Sequence, residues 1–204
     1  RPYTPPSATG DVNLLVVGGS QGAKILGEVV PRATAFLDAE LRSRLRVVQQ
    51  CRAEEVDTAK SNFGRAHIQA EVSTFFDDIP ERLAKATLVV CRSGASTVAE
   101  LAAMGRPALL VPFAHATDDH QTANAEGLCD AGGGWIIQQD ALTAEHLAER
   151  LTSLLTPGPT LSMAAKCAAQ MGKLEAAAQL ADLVVSVLDG NGNGGFADRQ
   201  EAAA

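Results

Sequence analysis

Three segments of the chain hold residues of the types and spacing that bind an anion. In Cys91-Arg-Ser-Gly-Ala-Ser-Thr-Val-Ala-Glu100, the small residues Ser93, Gly94, Ala95 and Ser96 follow the apolar run Thr87–Cys91. They precede a segment whose Val98, Leu101 and Ala102 recur at helical spacing. A strand, a small-residue turn and a helix in that order present unpaired backbone donors and the positive end of a helix dipole to a ligand. Glu100 lies one turn into the helix on the side of Thr97, where a carboxylate suits a ribose diol beside a phosphate. Gly18-Gly-Ser-Gln-Gly-Ala23 is a second such turn, without the Lys-Ser/Thr of a P-loop and without the spacing of a dinucleotide fingerprint. The third segment, Phe113 to Asn124, gathers polar side chains between an apolar run and a helix. Each motif alone also reads as an ordinary turn.

The elements that must position these segments alternate along the chain. Strands are expected at Val12–Val17, Leu45–Gln50, His67–Val72, Leu88–Cys91, Pro107–Pro112 and Gly134–Gln138. Helices are expected near 21–39, 53–63, 80–86, 97–104, 119–131, 144–155, 161–170 and 173–188. Unbroken apolar strands such as Pro107–Pro112 imply burial on both faces. The expected fold is therefore α/β, a Rossmann-like doubly wound six-stranded parallel sheet. In such sheets ligands sit beyond the carboxyl ends of the strands, near the reversal of strand order. The three segments then fall on one edge and can serve one ligand.

Residues 1–10 are Pro-rich and read as a linker or domain junction, 11–188 as the domain, and the glycine-rich 189–204 as a flexible tail. A start at Arg1-Pro-Tyr, leading almost directly into a strand, suggests a piece of a longer protein.

Composition narrows the function. Across 204 residues the net charge is −7 with no basic cluster, which argues against nucleic acid and against attraction to an anionic membrane. Cys51, Cys91, Cys129 and Cys167 lie far apart in sequence, so no metal site or disulfide framework is expected, and reduced thiols in the cytoplasm fit best. No run is long enough to span a membrane, and no signal peptide is expected.

Taken together, Gly18–Ala23, Cys91–Glu100, Pro107-Ala-Leu-Leu-Val-Pro-Phe113 and Asp118-Asp-His-Gln-Thr-Ala-Asn-Ala125 resemble the MurG family, the N-acetylglucosaminyltransferases of peptidoglycan synthesis. The likeness runs from about Arg1 to about Leu188 and matches only that family's C-terminal, donor-binding half of a two-domain GT-B enzyme. It implies UDP-N-acetylglucosamine as ligand, with no cofactor and no metal. It also implies an acceptor, lipid I, and a membrane contact, both supplied through the other half. The implied location is the cytoplasmic face of the cell membrane. Carried onto this chain, the likeness has Ser20 bonding the diphosphate within the turn of Gly19, Gln21 and Gly22. Ala95, Ser96 and Thr97, after Ser93 and Gly94, would offer donors to phosphates and sugar. Glu100 would hold the ribose, and Phe76 would contact uracil through its backbone. Gln121 and Asn124 would face the sugar hydroxyls with His120 beside them, and Arg1 would stand at the domain junction. The family's Gln-Gln is His120-Gln121 here, and either residue can donate to a hydroxyl.

The resemblance places no catalytic residue in this half. Glu100 and His120 are the candidates the chain itself offers, His120 because imidazole titrates near neutral pH. With few Lys or Arg at these motifs, binding a dianionic group is expected to rest on helix dipoles and backbone donors. Two rival readings share the motifs: another GT-B-type UDP-sugar enzyme, such as a 2-epimerase or a lipid glycosyltransferase, and a non-catalytic nucleotide-sugar binding module. Gln49-Gln50 ends a strand on the ligand edge, where polar residues ordinarily meet solvent. Arg42-Ser-Arg-Leu-Arg46 reads as a solvated helix end, and His67, His115 and His146 as ordinary surface histidines.

Overall fold

The computed structural model describes residues 2–19, 22–114 and 119–188. Six strands, β1 (Val12–Val17), β2 (Leu45–Gln50), β3 (Gln69–Ser73), β4 (Leu88–Cys91), β5 (Ala108–Leu110) and β6 (Gly134–Ile136), form one sheet in the order β3-β2-β1-β4-β5-β6. Every pairing is parallel, with Leu15 opposite Val48 on one side and Val89 on the other. Strand order reverses between β1 and β4, which opens a crevice at their carboxyl ends.

The period-2 geometry of strands sorts the apolar residues onto two faces. Leu14 and Val16 of β1, Val47 of β2, Val90 of β4 and Leu109 of β5 join one buried cluster. Its helices are α1 (Lys24–Ala33), α3 (Val56–Arg65) and α7 (Ala144–Leu155). Leu15, Val89, Cys91, Ala108 and Leu110 join the other cluster. Its helices are α4 (Ile79–Lys85), α5 (Ala95–Met104), α6 (His120–Asp130) and α8 (Thr160–Met171). Covering both faces is what permits the unbroken apolar strands.

The helix expected over 21–39 is shorter, and a separate helix that was not expected follows it. α1 ends at Ala33, a short 3₁₀ turn follows, and α2 (Ala39–Arg44) starts afresh where the Asp38 carboxylate accepts the Leu41 N–H at 2.7 Å. The Arg42–Arg46 run is not a solvated helix end. Arg44 donates to the carbonyls of Ser7, Ala8 and Gly10, and Arg46 pairs with Asp11 at 3.0 Å, so the run clasps the N-terminal segment. Tyr3 adds a hydroxyl donated to Thr87 O at 3.0 Å.

Arg106, fully buried, donates to the last carbonyls of α4, Leu83 O and Ala84 O, so its charge serves a helix C-terminus. All four cysteines are free. Burial pushes the Cys91 thiol up to about 12 and the Cys129 thiol to about 11, which leaves both inert at neutral pH.

The chain divides into two compact units, Arg1–Gly172 and Lys173–Ala204. In the second unit α9 (Ala176–Leu188) exposes Leu180, Leu183, Val184 and Val187. Among the described residues no helix is long and apolar enough to cross a membrane. The tail expected over 189–204 lies outside the described residues.

Candidate functional site

A cavity of about 710 Å³ lies at the reversal between β1 and β4. Its walls come from the turn before α1, the turn before α5 and the segment around α6, the three segments singled out in the sequence. Gly18, Gly19, Gly22, Gly94, Ala95, Ser96, Thr97 and Gln121 all line it.

The first turn depends on glycine. A Cβ at Gly18 would stand 2.3 Å from Ala23 N, and Gly19 and Gly22 take φ values of +81° and +67°. Gly22 N donates to Gly19 O at 3.0 Å and closes the turn, which delivers the chain into α1. Among the described residues neither α1, after Ala23, nor α5, after Gly94, has a side-chain cap, and neither carries an acidic residue in its first turn. Two helices thus open onto one cavity with their first N–H groups uncapped, the arrangement that receives an anion.

The second wall is held by a reciprocal pair of hydrogen bonds. Ser93, fully buried, donates its hydroxyl to Gln121 O at 2.7 Å, and Asn124 Nδ2 donates to Ser93 O at 3.0 Å. Gln121 Oε1 accepts the Phe113 N–H at 3.1 Å. Its Nε2 donors are then the part of the Gln121 amide left to meet a ligand in the cavity.

Three cations that the sequence reading left out of the site also line the cavity: Lys24, Arg52 and Arg92. The expectation of few Lys or Arg at the site is corrected on this point. Arg92 is 8% exposed and donates to Val111 O, Pro112 O and Gln139 Oε1, all neutral acceptors. Burial, and secondarily the charge of Arg52, holds its guanidinium below its usual range. Lys24 pairs with Glu28 at 3.6 Å. The signals for these cations were present. Arg92 sits inside the Cys91–Glu100 motif, and Arg52 follows the end of β2 on the ligand edge.

Other expected residues stand elsewhere. Glu100 and His120 are exposed, on α5 and at the start of α6, and neither lines the cavity. Phe76 is 8% exposed beneath the Arg82 guanidinium, 4.1 Å from its ring centroid, and is also absent from the cavity wall. The adjoining Phe75 is the exposed aromatic there, at 71%. Arg82 is fixed in turn by a bidentate pair with Glu71 and by Asp78, whose carboxyl it holds below the usual range. Gln49 and Gln50 do not meet solvent. Gln49 donates to Leu26 O at 3.1 Å and Gln50 to Thr74 O, tying β2 to its neighbours. Arg1, Ser20, Gln21, His115 and Asp118 lie outside the described residues. No group of His, Cys, Asp and Glu among the described residues could hold a metal ion.

An all-parallel sheet with a cleft at its strand reversal defines a Rossmann-like α/β domain. The glycosyltransferase family 28 C-terminal domain matches residues 13–181, and the chain belongs to that family. It is 53% identical over 194 residues, 95% of this chain, to a protein of Rhodospirillum centenum. That protein is named UDP-N-acetylglucosamine--N-acetylmuramyl-(pentapeptide) pyrophosphoryl-undecaprenol N-acetylglucosamine transferase. A protein of the same name from Rhodospirillum rubrum is 53% identical over 187 residues, 92% of this chain. The chain spans about half the length of these curated relatives, 51% and 48%. The crystal structure of Acinetobacter baumannii MurG superposes with a TM-score of 0.80 at 34% identity, covering 90% of this chain and 55% of that one.

Proposed function

We propose that this chain is the donor-binding half of an inverting glycosyltransferase that moves N-acetylglucosamine from UDP to the muramyl-pentapeptide of lipid I, giving lipid II. The observation that carries this reading is the convergence of two uncapped helix N-termini and two arginines on one cavity at the strand reversal. Its volume, about 710 Å³, is in the range of small-molecule sites and admits a nucleotide sugar. The diphosphate lies against the starts of α1 and α5, and the sugar toward Gln121 and Asn124. Beyond the cavity wall, Glu100 takes the ribose hydroxyls and the Phe76 backbone meets the uracil.

The chemistry assigned to this half is leaving-group stabilisation. As the anomeric C–O bond breaks, negative charge grows on the departing UDP, and donors already aimed at the phosphates stabilise it without reorganisation. The acceptor hydroxyl must be aligned opposite UDP and activated there. Both tasks fall to the other half, together with access to lipid I at the cytoplasmic face of the membrane. No catalytic base is assigned to His120 or Glu100.

A transfer assay with labelled UDP-N-acetylglucosamine and a lipid I analogue tests this division. The enzyme carrying both halves is expected to label the lipid, and this chain alone to bind donor and transfer nothing. Transfer by this chain alone would overturn the assignment.

A further inference from the structure

We infer that Arg52 is a donor-binding residue, which with Arg92 forms a pair of guanidinium groups flanking the first glycine turn and receiving the diphosphate. The inference rests on the reading of the cleft as a UDP-sugar site and adds a specific contact to it.

Placement comes from the sheet. In the order β2-β1-β4, Arg52 follows β2, the glycine turn follows β1, and Arg92 follows β4. The two arginines thus stand on either side of the turn, and both line the cavity beside the starts of α1 and α5. The stem of Arg52 is set by the turn itself, because a Cβ at Gly22 would lie 3.0 Å from Arg52 Cγ. The glycine required at 22 by its φ of +67° is therefore also what lets Arg52 lie along the turn.

No ion pair neutralises this charge among the described residues, although Arg52 also acts on the Glu55 carboxyl. The Arg92 hydrogen bonds all end on neutral oxygens. Two cations at one cleft repel each other, and burial adds a desolvation cost on Arg92. A dianion placed between them relieves both. The planar guanidinium fork suits phosphate oxygens in a way an ammonium does not.

A competing role exists for Arg52. It also lines an adjoining cavity of about 380 Å³ with Glu28, Glu54 and Glu55. The Glu55 carboxylate there is buried, and neither of its oxygens has a hydrogen-bond partner. If Arg52 served only to offset that acidic hollow, its loss would not depend on how many phosphates the ligand carries.

Calorimetric titration with uridine, UMP and UDP separates the two roles, using wild type, Arg52→Gln and Arg52→Lys, each as this chain and as the enzyme with both halves. Circular dichroism verifies the fold. Arg52→Gln is expected to weaken UDP about tenfold or more, the scale of one charge-assisted hydrogen bond, to weaken UMP less and to leave uridine unchanged. Arg52→Lys should recover part of the loss for UDP. Unchanged UDP affinity in Arg52→Gln, or equal weakening of all three ligands, would overturn the inference while wild-type binding leaves the donor site standing. Failure of folded wild type to bind UDP in either form would overturn both.

Discussion

Asn124 Nδ2 donates a 3.0 Å hydrogen bond to the carbonyl oxygen of Ser93, and this bond locks the start of α6 to the turn that opens α5. The bond commits one of the two Nδ2 hydrogens to structure, and Asn124 itself stands behind the cavity wall rather than in it. Asn124→Asp would set a carboxylate against the Ser93 carbonyl. A loss of about 1–3 kcal/mol in urea unfolding is expected, the scale of a broken buried hydrogen bond with its acceptor left unmet. Unchanged stability would show that the bond does not hold the two segments together.

Gln121 supports a different expectation. Its Oε1 accepts from Phe113 N, and its amide donors remain for the ligand. Gln121→Glu keeps the acceptor, removes the donors and brings a negative charge toward an anionic ligand. Donor affinity is expected to fall about tenfold or more, with circular dichroism unchanged. Retained affinity would place Gln121 outside the donor contacts.

Two glycines should respond oppositely to alanine. Gly105 closes α5 at φ +58°, and its Cβ would stand 3.0 Å from Ala169 Cβ, so Gly105→Ala should cost about 1–2 kcal/mol. Gly127, exposed inside α6 with nothing within 4 Å of its Cβ position, should gain about 0.5–1 kcal/mol. Urea midpoints moving the same way for both would contradict these backbone assignments.

Glu55 gives a pH signature. Burial pushes its carboxyl above the usual carboxylate range, against the opposing pull of the Arg52 charge. The unfolded chain ionises at lower pH than the folded one, so stability is lost as pH rises from the unfolded value through the folded one. Glu55→Gln removes that loss. It should leave stability near pH 3 unchanged and raise it by about 1 kcal/mol at pH 8, the scale of one uncompensated buried polar group. An equal gain at both pH values would remove ionisation as the cause.

The sheet was legible because its strands are short apolar runs alternating with helical segments. Leu14, Leu15 and Val16 read as a strand whichever face each one takes, and parallel pairing follows from the helices between strands. The early end of α1 and the separate start of α2 were missed because a single capping carboxylate, Asp38, marks the new helix within a stretch of helical pattern. The Arg44 clasp was missed because its acceptors at Ser7, Ala8 and Gly10 lie more than thirty residues away in sequence. At the site, the small-residue turns were readable since backbone geometry demands them. The arginines were not, because a guanidinium reports nothing about its destination until the sheet sets β2 and β4 on either side of β1.

The most direct test of the central claim is calorimetric titration of UDP-N-acetylglucosamine into this chain and into the enzyme with both halves, with UDP-glucose in parallel. Saturable one-to-one binding that favours the acetylated sugar, and is weakened by both Gln121→Glu and Arg52→Gln, is the predicted result. Absence of binding in both forms, or binding that neither substitution changes, would contradict the assignment of the cleft between β1 and β4 as the donor site.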